Sequence, residues 1–437
     1  MKRTSTIFAL SSGALPSGVA VVRVSGDGAG RAAEALCGAL PPPRRLTLRR
    51  FLSEDGSVID RGLVAYFPAP DSFTGEDCAE FHVHGGRAVV AALLDRLGGL
   101  DDFRQAEAGE FTRRAFLNGK LDLTAAEALS DLIAAETEAQ RRLAFANADG
   151  RQRALYAGWR ARLLHARAMI EAELDFSDEG DVPGSVAAAV WADVAALRAE
   201  MESHLAGFRA AEIVREGFRV AIVGAPNAGK SSLLNYLAGR DVAIVSDEPG
   251  TTRDVLEISL DLGGSKVILA DTAGLRAKAG RVEMIGIERA RRTAALADLV
   301  LVLEDVTDPH RVEVPGAASA LRIGTKLDLN SGELGPYYLA ISTVSGAGID
   351  VLLSEIETRA KEKVGVAESR VVPTRQRHVD LLRSAIAELS DALDDEKQLE
   401  LRAEGLRIAS DDVGRVSGAI DTEEILGAIF STFCIGK

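Results

Sequence analysis

Cysteine, long apolar runs and an excess of positive charge are all missing from this sequence. Its 437 residues include three cysteines, Cys37, Cys78 and Cys434, and no C-x-x-C. That scarcity excludes a disulfide scaffold and a thiolate zinc site, and it reads as a reducing compartment. No apolar run is long enough to span a bilayer. Met1-Lys-Arg followed by Ile7-Phe-Ala-Leu resembles the opening of a signal peptide, yet the run stops at Ser11-Ser12-Gly13, short of an ordinary h-region. A cytoplasmic protein with no membrane partner is the expectation, its first strand beginning near residue 5. Lys and Arg total 51 against 65 Asp and Glu, a formal net charge of −14. Such a balance excludes broad coating of nucleic acid and leaves only local patches, such as Arg44-Arg45, Arg49-Arg50 and Arg113-Arg114.

What is present centres on residues 218–232. The apolar run Val220–Val223 has the composition of a buried strand, and Gly224, Gly229, Lys230 and Ser231 then fit G-x-x-x-x-G-K-[ST]. A helix-forming stretch follows and ends at Gly239. Glycines let backbone N–H groups converge on phosphates, and the helix N-terminus adds its positive dipole end. Lys230 is placed to reach the β- and γ-phosphates, with the Ser231 hydroxyl on Mg2+. Further along, Gly250-Thr251-Thr252-Arg253-Asp254 offers a switch threonine for Mg2+. Val267-Ile-Leu-Ala-Asp271 reads as a strand ending in an acid, followed by Thr272-Ala273-Gly274 with an N–H for the γ-phosphate. In Thr325-Lys326-Leu327-Asp328 the carboxylate suits guanine N1 and N2, and Ser342-Thr343-Val344-Ser-Gly offers backbone donors to guanine O6. In this order and spacing the motifs predict a GTPase of the Ras-like fold. Two departures stand out. Thr325 replaces the usual Asn, which predicts one looser loop-to-loop hydrogen bond. Leu275 stands where Ras-type enzymes keep a water-positioning Gln, so the attacking water needs another organiser.

Around this module the pattern is mixed. Val19–Ser25, Gly62–Phe67 and Cys78–His84 read as strands and residues 88–97 as a helix, an α+β arrangement over the first ~115 residues. Arg23 lies awkwardly in the first of these strands. It reads as a solvent-facing arginine on an edge strand, or as a partner of Glu80 or of a polar ligand. From Thr124 the period becomes helical: Thr124-x-x-Glu127 reads as a capping box, and the pattern continues to about Phe176. Val190, Val194, Leu197, Met201, Leu205 and Phe208 keep a/d spacing. Residues 378–404 are predicted as one helix with Leu381, Leu382, Ala385, Ile386, Leu389 and Leu393 on one face and Gly405 as its stop. A last helix is expected from Thr422 into Phe430 and Phe433. The expected organisation is therefore multidomain α/β. An α+β domain spans 1–118, and an all-α bundle is assembled from 119–212 and 370–437. A P-loop domain at 216–365, with a parallel or mixed sheet and helices on both faces, is inserted in that bundle.

Over essentially its whole length the chain resembles the MnmE (TrmE) family of bacterial tRNA-modification GTPases. The resemblance is carried by Phe73-Thr-Gly-Glu-Asp77, His84-Gly-Gly86, Gly109-Glu-Phe-Thr112, Arg114-Ala-Phe-Leu-Asn118, Lys120-Leu-Asp-Leu123, Gly224-Ala-Pro-Asn227-Ala228-Gly-Lys-Ser231-Ser232, Gly250–Asp254 and the terminal Phe433-Cys-Ile-Gly-Lys437. It implies a homodimer whose N-terminal domain binds 5-formyltetrahydrofolate or 5,10-methylenetetrahydrofolate. It implies a flavoprotein partner, MnmG, in a heterotetramer or larger complex, and tRNA as substrate. The product it implies is an aminomethyl or carboxymethylaminomethyl group on C5 of the wobble uridine. By the same resemblance Asn227, Ser246, Glu248 and Thr251 would hold K+, and Glu283 would orient the attacking water. Arg23, Glu80, Lys120 and Lys437 would contact the folate. Cys434 stands between two readings, a thiol near the carbon donor or packed core beside Phe433 and Ile435. The rivals are an Era-like ribosome-assembly GTPase, which predicts an RNA-binding module after the P-loop domain, and the G domain of a membrane iron transporter, which predicts membrane spans.

Overall fold

A computed structural model describes residues 5–175, 184–244, 257–271, 295–310, 312, 320–329, 335–420, 426, 429, 430, 433 and 436. The chain divides into two compact units, Met1–Ser130 with Val413–Lys437, and Asp131–Asp412.

The first unit is built on six strands, β1 (Thr6–Leu10), β2 (Ser17–Ser25), β3 (Thr47–Leu52), β4 (Val58–Phe67), β5 (Cys78–Gly85) and β6 (Phe103–Gln105), in the order β3-β4-β5-β2-β1-β6. The β1–β6 pair is parallel; the other pairs are antiparallel. Strict alternation in β2 sends Ala20, Val22 and Val24 inward. They pack with Phe8, Phe81 and Val83 beneath α1 (Ala29–Cys37) and α2 (Arg87–Gly98). On the opposite face Ile7, Ala9 and Ala106 pack with Phe111 from α3 (Glu110–Leu117). The α+β expectation is met. Arg23, however, does not sit on an edge strand, because β2 lies between β5 and β1. Strand order depends on long-range pairing, and a single strand's residues do not carry it.

The helix α4 (Leu123–Ile133) begins differently from the expected capping box. Asp122, two positions before the expected cap Thr124, caps it: its Oδ1 accepts from the Ala125 N–H at 2.8 Å and from the Thr124 hydroxyl at 2.6 Å. Two cap-forming residues stand close together, and the carboxylate of Asp122 takes the cap while the Thr124 hydroxyl donates to it. In the same unit Leu123 and Ala126 pack with Leu426, Phe430 and Phe433. Most of the predicted helix from Thr422 lies outside the described residues.

The helical pattern after Thr124 proves to be three elements, α4 and, in the second unit, α5 (Glu138–Ala148) and α6 (Arg151–Asp175). The first break is fixed by Gln140, whose Oε1 accepts from the N–H groups of Glu136 at 2.8 Å and Thr137 at 3.1 Å. The stripe from Val190 to Met201 is buried along α7 (Gly184–Leu205), and the chain breaks at Gly207, so Phe208 opens α8 (Phe208–Glu216). Strands β7 (Phe218–Gly224), β8 (Glu257–Leu262), β9 (Ser265–Asp271), β10 (Leu299–Asp305), β11 (Ala320–Thr325) and β12 (Leu339–Ala340) form a second sheet, ordered β12-β11-β10-β7-β9-β8. Only β8 runs antiparallel to its neighbour. Val220 and Ile222 of the central β7 face α8, α9 (Lys230–Ala238) and α10 (Ile349–Ser369), whereas Ala221 and Val223 face a second cluster with Val300 and Val302.

The predicted helix over 378–404 is two, α11 (Gln376–Ala392) and α12 (Leu399–Ser417), and Gly405 lies inside the second. It is no stop. A Cβ there would lie 3.1 Å from the Glu388 carbonyl oxygen and 3.3 Å from Ala392 Cβ, so the glycine permits close crossing of the two helices. Arg402 Nε donates to the Ala392 carbonyl at 2.7 Å, satisfying the end of α11.

Candidate functional site

At the carboxyl end of β7 the chain turns through Gly224 to Gly229 and enters α9, the place where parallel sheets bind ligands. The turn is forced. A Cβ on Gly224 would stand 2.5 Å from the Leu303 carbonyl oxygen and 3.2 Å from Ala228 Cβ, and neither atom sits on a flexible side chain that could yield. Gly229 (φ +89°) and Asn227 (φ +64°) both take left-handed conformations. Asn227 keeps its side chain exposed, and Ala228 is buried beneath it. Lys230 folds back over the loop, its Nζ donating to the carbonyls of Gly224 and Ala225 at 2.8 Å each. Burial lowers the Lys230 pKa, and the Asp271 carboxylate opposes that shift. A partly desolvated ammonium held on neutral carbonyls has a strong incentive to move to anionic phosphate oxygens.

Ser231 and Ser232 lie exposed in the first turn of α9. Ser231 Oγ stands 3.5 Å from Asp271 Oδ2 at the end of β9. A hydroxyl and a carboxylate at the head of a phosphate loop are hard oxygen donors, and these two residues fit Mg2+. Ser246, Glu248, Thr251, Thr252, Thr272, Ala273, Gly274, Leu275 and Glu283 lie outside the described residues.

The base-recognition stretch follows β11. Thr325 Oγ1 lies 2.9 Å from the Ala228 carbonyl and 3.2 Å from that of Glu304. The link to the P-loop expected to loosen is therefore present, though one hydroxyl hydrogen serves two acceptors. Ser342 Oγ donates to Asp328 Oδ1 at 2.5 Å and accepts from the N–H groups of Val344 and Ser345 at 3.1 Å each. Thus Asp328 is oriented by the loop that the sequence proposed for guanine O6, with Thr343 and Val344 at its rim. Lys326 reaches Asp305 at the end of β10, a residue the motif reading did not include. The two are 21 positions apart and belong to no common pattern.

In the first unit Arg23 and Glu80 are register partners across β2 and β5. Arg23 donates to Glu80 Oε1 through Nε at 3.0 Å and through Nη2 at 2.9 Å, and the side chains keep 22% and 21% exposure. The guanidinium lies over the rings of Phe73, at 5.1 Å, and Phe111, at 5.8 Å. His82 Nε2 lies 3.6 Å from Glu80 Oε2. The neighbouring His82, with Arg23, holds the Glu80 carboxyl below the usual carboxylate range against the effect of its burial. Phe73, Phe111 and His82 were missed in the sequence. His82 was findable, since a residue two positions along a strand shares its face. Lys120 is exposed, and its stem passes beside Gly75 in the same Phe73–Asp77 loop. Ser11 Oγ donates to the Gly436 carbonyl at 2.8 Å, which sets Gly436 beside the end of β1. Cys434 and Lys437 lie outside the described residues.

Two family models match the chain: the GTP-binding protein TrmE N-terminus over residues 6–120 and the MnmE helical domain over residues 123–434. The tRNA modification GTPase MnmE of Brucella anthropi is 58% identical over 434 residues, covering 99% of this chain and 98% of that protein. The tRNA modification GTPase MnmE of Mesorhizobium japonicum is 58% identical over 439 residues, covering 99% of each. Among solved structures, the G domain of the T. maritima FeoB iron transporter is 26% identical over 32% of this chain and 98% of that one, with a TM-score of 0.26.

Proposed function

The chain belongs to the MnmE/TrmE family of tRNA-modification GTPases, and from that premise we propose that it is a K+-dependent GTPase whose hydrolysis drives C5 modification of the wobble uridine. That it is a GTP hydrolase acting in tRNA modification follows from the family itself. Binding of GTP with Mg2+ rests on the same ground. The finer reading is ours: MnmG as flavoprotein partner, a tetrahydrofolate as one-carbon source, a homodimer, and a cytoplasmic setting. Among the described residues no helix is long and apolar enough to cross a membrane.

The observation that carries the nucleotide half is the convergence of Lys230, Ser231, Asp271, Thr325 and Asp328 at one end of one sheet. On GTP binding Lys230 exchanges the Gly224 and Ala225 carbonyls for phosphate oxygens. Ser231 and Asp271 would hold Mg2+, which would supply positive charge beside the phosphates. Asp328, oriented by Ser342, accepts from the guanine edge. Leu275 has no group that orients water, so we assign that role to Glu283. Asn227, with Ser246, Glu248 and Thr251, is assigned to K+, which when bound supplies positive charge between the phosphates where other GTPases use an arginine. Hydrolysis measured in K+ and in Na+ tests this: a much higher rate in K+ is expected, and equal rates refute the cation reading.

For the carbon half, Arg23 and Glu80 form a partly accessible ion pair on the sheet face that α3 partly covers. A carboxylate suits the pterin N–H edge and an arginine suits a folate's anionic tail. Lys120 and Lys437 are assigned to the same ligand, which supplies the one-carbon unit when bound. Cys434 keeps its two readings. That face also exposes Val19 (60%), Leu48 (50%) and Leu63 (38%), with Leu48 and Leu63 in register. Apolar residues exposed on that sheet face support its use as the dimer surface. We assign residues 1–118 to folate binding and dimerisation, 216–365 to the G domain, and 119–212 with 370–437 to the helical domain.

A further inference from the structure

We propose that Asp305, which belongs to none of the nucleotide motifs, is a positioning residue for guanine recognition: it anchors Lys326 and thereby fixes where Asp328 meets the base. This rests on the reading of Thr325–Asp328 as the base-recognition loop.

Lys326 has φ +60°, a left-handed conformation that an L-residue holds only where its surroundings enforce it. The loop has three side-chain anchors. Thr325 bonds the P-loop carbonyl of Ala228, and Asp328 accepts from Ser342. Between them Lys326 Nζ donates to Asp305 Oδ2 at 2.5 Å. Asp305 is itself immobilised, since its Oδ1 accepts from the Thr307 N–H at 2.9 Å and from the Thr307 hydroxyl at 2.7 Å. One carboxylate oxygen is spent on holding the carboxylate, and the other is aimed at the lysine. Asp305 and Thr325 are register partners on β10 and β11, and the Val306 N–H donates to the Thr325 carbonyl at 3.1 Å. The anchor therefore stands on the sheet itself. Burial opposes the charge, yet the bonds from Lys326 and Thr307 bring the Asp305 carboxyl down to about 2.

An exposed ion pair would contribute little. This one differs because the Asp305 side chain is only 14% exposed and its rotamer is fixed before the lysine arrives. Its weight is increased by Thr325. An Asn carboxamide offers two N–H groups and an oxygen to tie the loop to the P-loop, and a threonine hydroxyl offers one hydrogen, here shared between two carbonyls. With that tie reduced, the lysine–aspartate anchor holds the turn.

Asp305→Asn keeps the size of the side chain and an acceptor for Thr307 but removes the charge under Lys326. In the full chain, affinity for a fluorescent GDP analogue should fall about tenfold with the melting temperature nearly unchanged. KM for GTP should rise far more than kcat falls. Lys326→Met should lose a similar factor, and the double variant no more than either single one. Thr325→Asn in the Asp305→Asn background should recover most of the affinity. Unchanged affinity in Asp305→Asn, additive losses in the double variant, or affinity and melting temperature falling together would each overturn the inference. Asp328→Asn, assayed alongside with xanthosine triphosphate, separates the two readings. A switch of base there with no effect at Asp305 refutes the anchor alone, and no switch refutes the loop assignment.

Discussion

His204 should make the stability of the helical segment fall with acidity. Its Nδ1 lies 2.9 Å from the Val371 carbonyl, which only accepts, so Nδ1 carries the proton. Nε2 is then the acceptor for the Tyr156 hydroxyl, 3.0 Å away. Trp159 meets the imidazole edge-on at 5.2 Å, and the residue is 7% exposed. Burial lowers its pKa to about 4 from 6.5, with the Val371 bond opposing and the His378 charge adding to the shift. The unfolded chain takes up a proton near 6.5 and the folded one does not until about 4. Stability is thus full above that upper value and is lost as pH falls through the window. The whole shift corresponds to about 3 kcal/mol, of which about 2 kcal/mol is lost by pH 5. His204→Gln keeps a donor for Val371 and an acceptor for Tyr156 and cannot titrate. Urea unfolding followed by tryptophan fluorescence reads this segment directly, because the chain's two tryptophans, Trp159 and Trp191, both lie in it. The glutamine variant should lose about 2 kcal/mol less than wild type between pH 7 and pH 5. Equal slopes would refute a neutral buried imidazole. The same imidazole helps to fix Val371 and Val372, in the segment between α10 and α11. His204 holds one of their carbonyls and Gln152 Nε2 the other, at 2.6 Å.

Gly224→Ala drives a methyl group into the Leu303 carbonyl, so nucleotide affinity should drop by at least about tenfold in a fluorescent-GDP titration; wild-type affinity would show that the loop yields. Glu283→Ala should leave KM for GTP near its starting value and lower kcat about 100-fold or more in a steady-state phosphate-release assay. A large rise in KM instead would mean that Glu283 serves binding. Arg23→Ala should weaken reduced-folate binding in calorimetry about tenfold or more; undiminished affinity would leave the Arg23–Glu80 pair a structural one.

The nucleotide site was legible because its physics is local. A phosphate loop needs its glycines, lysine and serine within a few consecutive residues, and the sheet's carboxyl end is implied by the strand before it. Arg23 and Glu80 were legible as chemistry, not as place: whether β2 is an edge or an interior strand is decided by β1 and β5. Gly405 shows the same limit. A glycine after an apolar stripe has the signature of a helix stop, and only the path of α11 reveals a helix crossing. At Thr124 two cap formers competed, and a difference of two positions decided the helix start. Asp305 was illegible for a different reason. Its link to Lys326 joins two strand ends that are neighbours only once β10 and β11 pair.

If GTP hydrolysis by this chain serves wobble-uridine modification, nucleoside mass spectrometry of tRNA from cells lacking the protein should show it. C5-modified wobble uridines should disappear, the native chain should restore them and Gly224→Ala should not. An unchanged wobble-nucleoside profile in cells without the protein would contradict it.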